Sequence, residues 1–145
     1  MALFLFTKAI INNDTIEVFN NGDMLRDFTY IDDVVESIYR LVSKPATKIK
    51  DFDKSSSDPS KSWCPFRIFN IGNSKPTPIM DYISEIEKCL NKKAKIQFMP
   101  MQLGDVKATS SDISSLEDWI NFRPSISIKD GVKNFIKWYK EFYKV

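Results

Sequence analysis

Phe66-Arg67-Ile68-Phe69-Asn70-Ile71, closed by Gly72-Asn73, is the stretch on which the fold class turns. So apolar a run over so few residues reads as a strand buried on both faces, as the strands of a parallel sheet are. Such a sheet needs several strands joined by crossovers. Only this one of the 145 residues' segments has that character. Ile16 to Phe19 alternates like a short strand, and Lys95 to Met99 reads as another. The chain is therefore expected to be α/β, or α+β if taken alone, holding one strand of a larger sheet.

Around that strand the pattern is helical. Leu3, Phe6 and Ile10 carry a helical spacing that ends near Asn12-Asn13, and Asn20-Asn21-Gly22-Asp23 signals a turn. Ile31, Val34, Val35, Ile38, Tyr39 and Val42 recur at i, i+3, i+4, i+7, i+8 and i+11, which predicts a helix with one buried face. Thr29 and Asp32 stand at capping-box spacing before it. Ser43 to Pro65 loses all periodicity, and Lys, Asp, Ser and Pro predict a flexible, solvated loop. Beyond the strand, Thr77-Pro78 opens a helix with the stripe Ile79, Ile83, Ile86 and Leu90. Asp112 is expected to cap a short helix carrying Ile113, Leu116 and Ile120. Ser127 with Asp130 caps the last helix, whose face is Val132, Phe135, Ile136, Tyr139, Phe142 and Tyr143. Residues 1–145 thus read as a single domain with a flexible loop at 43–65.

Composition removes several classes of function. A net charge of +2 gives no electrostatic footprint for nucleic acid or an acidic membrane. The absence of histidine excludes His general bases, Ser-His-Asp triads and most transition-metal sites. Cys64 and Cys89 have no second cysteine pair to complete a zinc set, and two thiols suit a reducing cytoplasm. The apolar start at Met1 to Phe6 lacks a basic n-region and a cleavage site, and no stretch approaches a membrane span. A cytoplasmic protein is the expectation.

Several segments together carry a family resemblance: Met1-Ala-Leu-Phe-Leu-Phe-Thr-Lys-Ala-Ile10, Arg26-Asp-Phe-Thr-Tyr-Ile-Asp-Asp33 and Phe69-Asn-Ile-Gly-Asn-Ser74. Met99-Pro-Met-Gln-Leu-Gly-Asp-Val106 and Asp130-Gly-Val-Lys-Asn-Phe-Ile-Lys-Trp-Tyr139 complete the set. In this order they resemble the C-terminal portion of the UDP-glucuronate 4-epimerases, members of the NAD-dependent epimerase/dehydratase family within the extended short-chain dehydrogenase/reductases. The resemblance implies the substrate-binding part of such an enzyme, with one strand and one helix of its Rossmann sheet. It places Met1 on an internal methionine of the family, so the N-terminal NAD-binding domain is expected to be absent. The family's reaction oxidises C4 of a nucleoside-diphosphate sugar with NAD and reduces the keto intermediate on its other face, a Tyr-x-x-x-Lys pair handling the proton. Here the residues four beyond Tyr30, Tyr39, Tyr82 and Tyr139 are Val34, Ser43, Ile86 and Tyr143, so the pair does not exist. Gly22, Gly72, Gly104 and Gly131 are too scattered for a dinucleotide loop. No catalytic residue is expected, and no NAD bound by this chain alone.

The substrate-binding candidates follow from the same resemblance. Arg26 corresponds to the arginine that contacts the diphosphate, and a guanidinium forks onto phosphate oxygens; the competing reading is a surface arginine paired with Asp23 or Asp27. Phe19 matches the aromatic packed on uracil, where a flat apolar face gains by stacking, or else it is core. Asp105 corresponds to the acid that accepts from the ribose diol, or it closes an Asx turn after Gly104. Gln102 stands where many relatives have a second phosphate-binding arginine and offers only a neutral donor. Ala2 and Leu3 match the helix start whose free amides approach the pyrophosphate.

The functional expectation is a UDP-glucuronate/UDP-galacturonate-binding portion of a 4-epimerase, with a UDP-sugar and the N-terminal half as partners and a place in carbohydrate, including capsular polysaccharide, synthesis. The alternative is a non-enzymatic interaction module. Self-association is also expected, since the edges of Phe66 to Ile71 would lack their neighbours.

Overall fold

The computed structural model describes residues 2–55 and 58–145. In chain order the elements are α1 (Ala2–Asn12), β1 (Thr15–Val18), a 3-10 turn (Asn20–Gly22), β2 (Leu25–Asp27) and α2 (Ile31–Ser43). After a long irregular segment come β3 (Pro76–Pro78), α3 (Ile79–Leu90), β4 (Lys95–Phe98), α4 (Ser114–Ile120) and α5 (Ile128–Tyr143). The mixed α/β class is as expected, with two small two-stranded sheets among the described residues.

The parallel pairing falls on segments other than the expected one. β1 and β4 run parallel, with Ile16 opposite Ile96 and Val18 opposite Phe98. Phe66 to Ile71 forms no strand: its backbone has an isolated bridge between Lys61 and Arg67, with the Ile68 N–H donating to Ser60 O at 3.0 Å. Phe66 and Ile68 are exposed, not buried on two faces. Apolar residues alone do not make a strand. The backbone needs ladder partners on both sides, and among the described residues this segment meets none beyond that local turn.

α3 is the centre of the packing. Ile10 of α1, Tyr82, Ile86 and Leu90 of α3, and Val132 and Ile136 of α5 form one buried cluster. Ile83 turns the other way to meet Ile16 and Val18. Each such side chain contributes about 1.5–3 kcal/mol on burial. Local signals hold these helices in place. Asn91 ends α3 in the left-handed region at φ 52°, its N–H reaching Glu87 and Lys88 carbonyls. Ser127 caps α5 by accepting from the Asp130 N–H at 3.1 Å, and its hydroxyl donates to the Asp130 carboxylate at 2.6 Å. At α4 the expected cap is displaced: Ile113 is the N-cap, without a side-chain cap, and Asp112 lies one residue earlier with its carboxylate accepting from the Ser114 N–H at 3.0 Å. Pro78 sits one residue outside α3 and ends β3.

α2 departs from its sequence pattern. Ile31, Val35, Ile38, Tyr39 and Val42 are between 50% and 75% exposed, while Asp33 is 5% exposed and Ser37 fully buried. The helix is anchored by its polar edge. The Asp33 carboxylate accepts from the Ser125 and Ile126 N–H groups at 3.0 and 2.9 Å, and Ser37 donates to the Asp33 carbonyl at 2.7 Å. The expected box does not form either: Tyr30 is the N-cap, in extended conformation, without a side-chain cap. The apolar stripe of α2 is left facing outward.

Candidate functional site

β2 is the strand that positions the site. It pairs antiparallel with β3, Arg26 opposite Thr77, and its other edge is covered by the segment 107–109. Leu25 N–H donates to Lys107 O at 2.9 Å and Thr109 N–H donates to Leu25 O at 3.2 Å. Asp27 fixes the surroundings: its carboxylate accepts from Ser74 N–H at 3.1 Å, Lys75 N–H at 3.3 Å and Ser111 N–H at 3.0 Å. Gly72 is required at this crossing, since a Cβ there would lie 2.2 Å from the Ser111 Oγ.

Held in this frame, the Arg26 guanidinium reaches across the loop. Its Nη2 donates to Asp105 Oδ1 at 2.9 Å, and its Nη1 donates to Leu25 O at 2.9 Å and Lys107 O at 3.3 Å. Its partner is therefore neither Asp23 nor Asp27. Asp23 pairs instead with Lys107 at 2.7 Å. Asp105 also accepts the Val106 N–H at 2.7 Å, and its own N–H donates to Gln102 O at 3.2 Å. The turn from Gln102 to Asp105 is exposed and passes through Gly104 at φ +84°. Arg26, Asp105 and the Gln102 backbone are thus brought together from positions up to 79 apart.

Phe19 lies elsewhere, between β1 and the 3-10 turn. It lines a groove of about 590 Å³ with Ala2, Leu5, Ala9 and Lys8 of α1 and Thr15, Ile16 and Glu17 of β1. Leu3 faces a separate small apolar cavity of about 70 Å³, beside Phe28, Tyr30 and Tyr82. Of the two residues expected at the helix start, Ala2 shares the groove with Phe19 and Leu3 does not. Met1 lies outside the described residues. Leu5 and Ala9 were not singled out from the sequence, although Ala2, Leu5 and Ala9 at i, i+3 and i+7 mark one helical face beside the core stripe.

The glycines do not gather. Gly22 follows β1, Gly72 packs on Ser111, Gly104 tips a turn and Gly131 lies in α5 against Tyr30. None stands between a strand and the helix after it in the way a dinucleotide cradle needs, and no step involving a nicotinamide is assigned to this chain's residues. Among the described residues, no group of three or more His, Cys, Asp or Glu could hold a metal ion. No helix there is long and apolar enough to cross a membrane.

Comparison with known proteins gives one consistent picture. Residues 1–72 match the NAD dependent epimerase/dehydratase family. Protein CapI of Staphylococcus aureus is 46% identical over 144 residues, covering 99% of this chain and 43% of that protein. A probable UDP-glucuronate 4-epimerase of Rhizobium meliloti is 39% identical over 145 residues, covering 99% of this chain and 42% of the other. The crystal structure of UDP-glucuronic acid 4-epimerase from Bacillus cereus, in complex with UDP-glucuronic acid and NAD, superposes with a TM-score of 0.77 at 26% identity. That match covers 99% of this chain and 40% of the enzyme. The chain spans well under half the length of the proteins it resembles.

Proposed function

Since this chain belongs to the NAD dependent epimerase/dehydratase family, we propose that it is the nucleotide-sugar-binding portion of a UDP-glucuronate 4-epimerase. The observation that carries this reading is the guanidinium of Arg26 beside the carboxylate of Asp105, 2.9 Å apart. A diphosphate wants a charged planar fork, and a ribose diol wants two acceptor oxygens. Phe19 offers an aromatic wall to a base in the groove along α1, and Ala2, at the helix start where an anion would be favoured, lines the same groove. Gln102 adds a neutral donor on the same turn as Asp105.

In such an enzyme NAD, held by residues outside this chain, would supply the hydride chemistry at C4 of the sugar. The part played by this chain is narrower. Arg26 and Asp105 would hold the diphosphate and ribose, with Phe19 in its separate groove along α1 as the candidate wall for the base, so that the sugar projects toward chemistry performed by other residues. The outward apolar stripe of α2 is a face suited to being covered. The same stripe favours a second reading, an interaction module whose partner covers α2 without any nucleotide.

Calorimetry with UDP-glucuronate separates the two. The expected result is binding by the chain that Arg26→Ala weakens about tenfold to a hundredfold, the value of a charge-assisted hydrogen-bond pair. No heat at millimolar ligand, or equal affinity in the variant, would end the nucleotide-sugar reading.

A further inference from the structure

We propose that Asp105 is the internal counter-ion that withholds Arg26 from simple phosphates, so that the site favours a ligand offering a diphosphate and hydroxyl donors in one molecule. The inference rests on the nucleotide-sugar reading and concerns how that site chooses among anions.

The fork of Arg26 is already engaged. Leu25 and Lys107 carbonyls hold Nη1, and the Asp105 carboxylate takes Nη2. The carbonyls orient the guanidinium without neutralising it; the carboxylate supplies the charge. Asp105 is itself fixed in place, by the Val106 N–H on Oδ1 and by its own N–H on the Gln102 carbonyl. Among the described residues, the nearby Lys107 ammonium is already paired with Asp23, and position 102 is a neutral Gln.

An anion approaching Arg26 therefore meets a carboxylate 2.9 Å from the nitrogen it seeks. A phosphate that displaces Asp105 leaves two negative groups facing one another across a single guanidinium, which is unfavourable. A nucleoside diphosphate meets the same obstacle and resolves it. Its phosphates fork onto Arg26 while its vicinal hydroxyls donate to the released carboxylate. The side chains are 22% and 33% exposed, so the existing pair is weak enough to exchange, holding its geometry by about two- to fivefold in an equilibrium. Asp105 is thus a specificity-determining residue with two partners in turn, Arg26 before the ligand and the diol after it.

The test is calorimetric titration of the 145-residue chain and its Asp105→Asn variant with inorganic pyrophosphate and, separately, with UDP at fixed ionic strength. Asn keeps the size and one acceptor oxygen but removes the charge. The variant is expected to bind pyrophosphate about threefold or more tightly than the wild type, and its preference for UDP over pyrophosphate is expected to fall about tenfold. Pyrophosphate affinity that is equal, weaker or undetectable in both proteins overturns the counter-ion role. A wild type that binds UDP, with pyrophosphate indifferent to the substitution, overturns this inference and leaves the nucleotide-sugar reading standing. A wild type that ignores UDP overturns both, whatever the variant gains toward pyrophosphate. Should Asp105→Asn disturb the turn, the wild type still reports. Its Val106 amide resonance, which shares Oδ1 with Arg26, is expected to shift on adding pyrophosphate, and a stationary resonance counts against the exchange.

Discussion

Substitution of Asp33 tests whether α2 is held by its acid or by its apolar stripe. The carboxylate is 5% exposed and accepts two backbone N–H groups, from Ser125 and Ile126, on the approach to α5. Asp33→Ala leaves both donors without their acceptor in a buried place. Hydrogen bonds to a charged group contribute roughly 1.5–3 kcal/mol each, so the two together make a loss of about 3 kcal/mol or more. Asp33→Asn keeps one acceptor oxygen and should cost about 1 kcal/mol. On the stripe, Ile38 is 50% exposed, and Ile and Ser have similar helix propensities, so Ile38→Ser should change stability by less than about 0.5 kcal/mol. Urea unfolding followed by tryptophan fluorescence reads these differences, since a slope of about 1–3 kcal/mol per molar converts the Asp33→Ala loss into a midpoint drop of roughly 1–3 M. If Ile38→Ser lowers the midpoint as far as Asp33→Ala, the apolar stripe is holding the helix and the account of α2 is wrong.

Three other outcomes follow from the same contacts. Gly72→Ala would set a Cβ 2.3 Å from the Ser111 Cβ, and Ser111 is held by Asp27, so a loss of about 1–3 kcal/mol is expected in the same urea assay; an unchanged midpoint would show the crossing to be slack. Burial raises the Tyr82 phenol far above its ordinary 10.0, so the folded chain keeps a proton that the unfolded chain sheds. Stability from this group is intact below about pH 10 and declines as pH rises further, and Tyr82→Phe should flatten that alkaline decline; an identical alkaline profile in the variant would refute it. The exposed stripe of α2 should make the chain self-associate, and Val35→Lys with Val42→Lys should suppress this in sedimentation runs over a range of concentrations. A wild type that stays monomeric throughout would contradict the expectation.

The sequence made legible those elements whose partners lie within the chain. The α3 stripe reads as buried and is buried at Ile83, Ile86 and Leu90, and the spacings of α1 and α5 read as helices and form helices that pack on it through Ile10, Val132 and Ile136, since the same 145 residues supply both sides of each contact. The Ser127 cap was legible because its partner is three residues away. The apolar stripe of α2 and the strand at Phe66 to Ile71 read with equal physical warrant, yet the stripe is exposed, as are Phe66 and Ile68. Periodicity reports what a segment is suited to bury, and says nothing of where the covering surface resides. The same distinction explains the unformed strand, whose composition suits a sheet that needs more strands than these residues provide.

The pairing of Arg26 shows why site geometry is harder to read than helices. From sequence alone its carboxylate partners are Asp23 and Asp27, three and one positions away. In the fold both are taken. Asp27 collects three backbone N–H groups that no water would satisfy as well in a half-buried crossing, and Asp23 pairs with Lys107 across the covering segment. Each of those arrangements depends on segments that fold back onto β2 from beyond position 70, so none is visible locally. With its near neighbours engaged, the guanidinium is left to the one acid that the turn after Gln102 brings over β2. The competition among charges, not the spacing of any motif, is what sets Arg26 beside Asp105, and a site assembled that way can be recognised only after the loops have been placed.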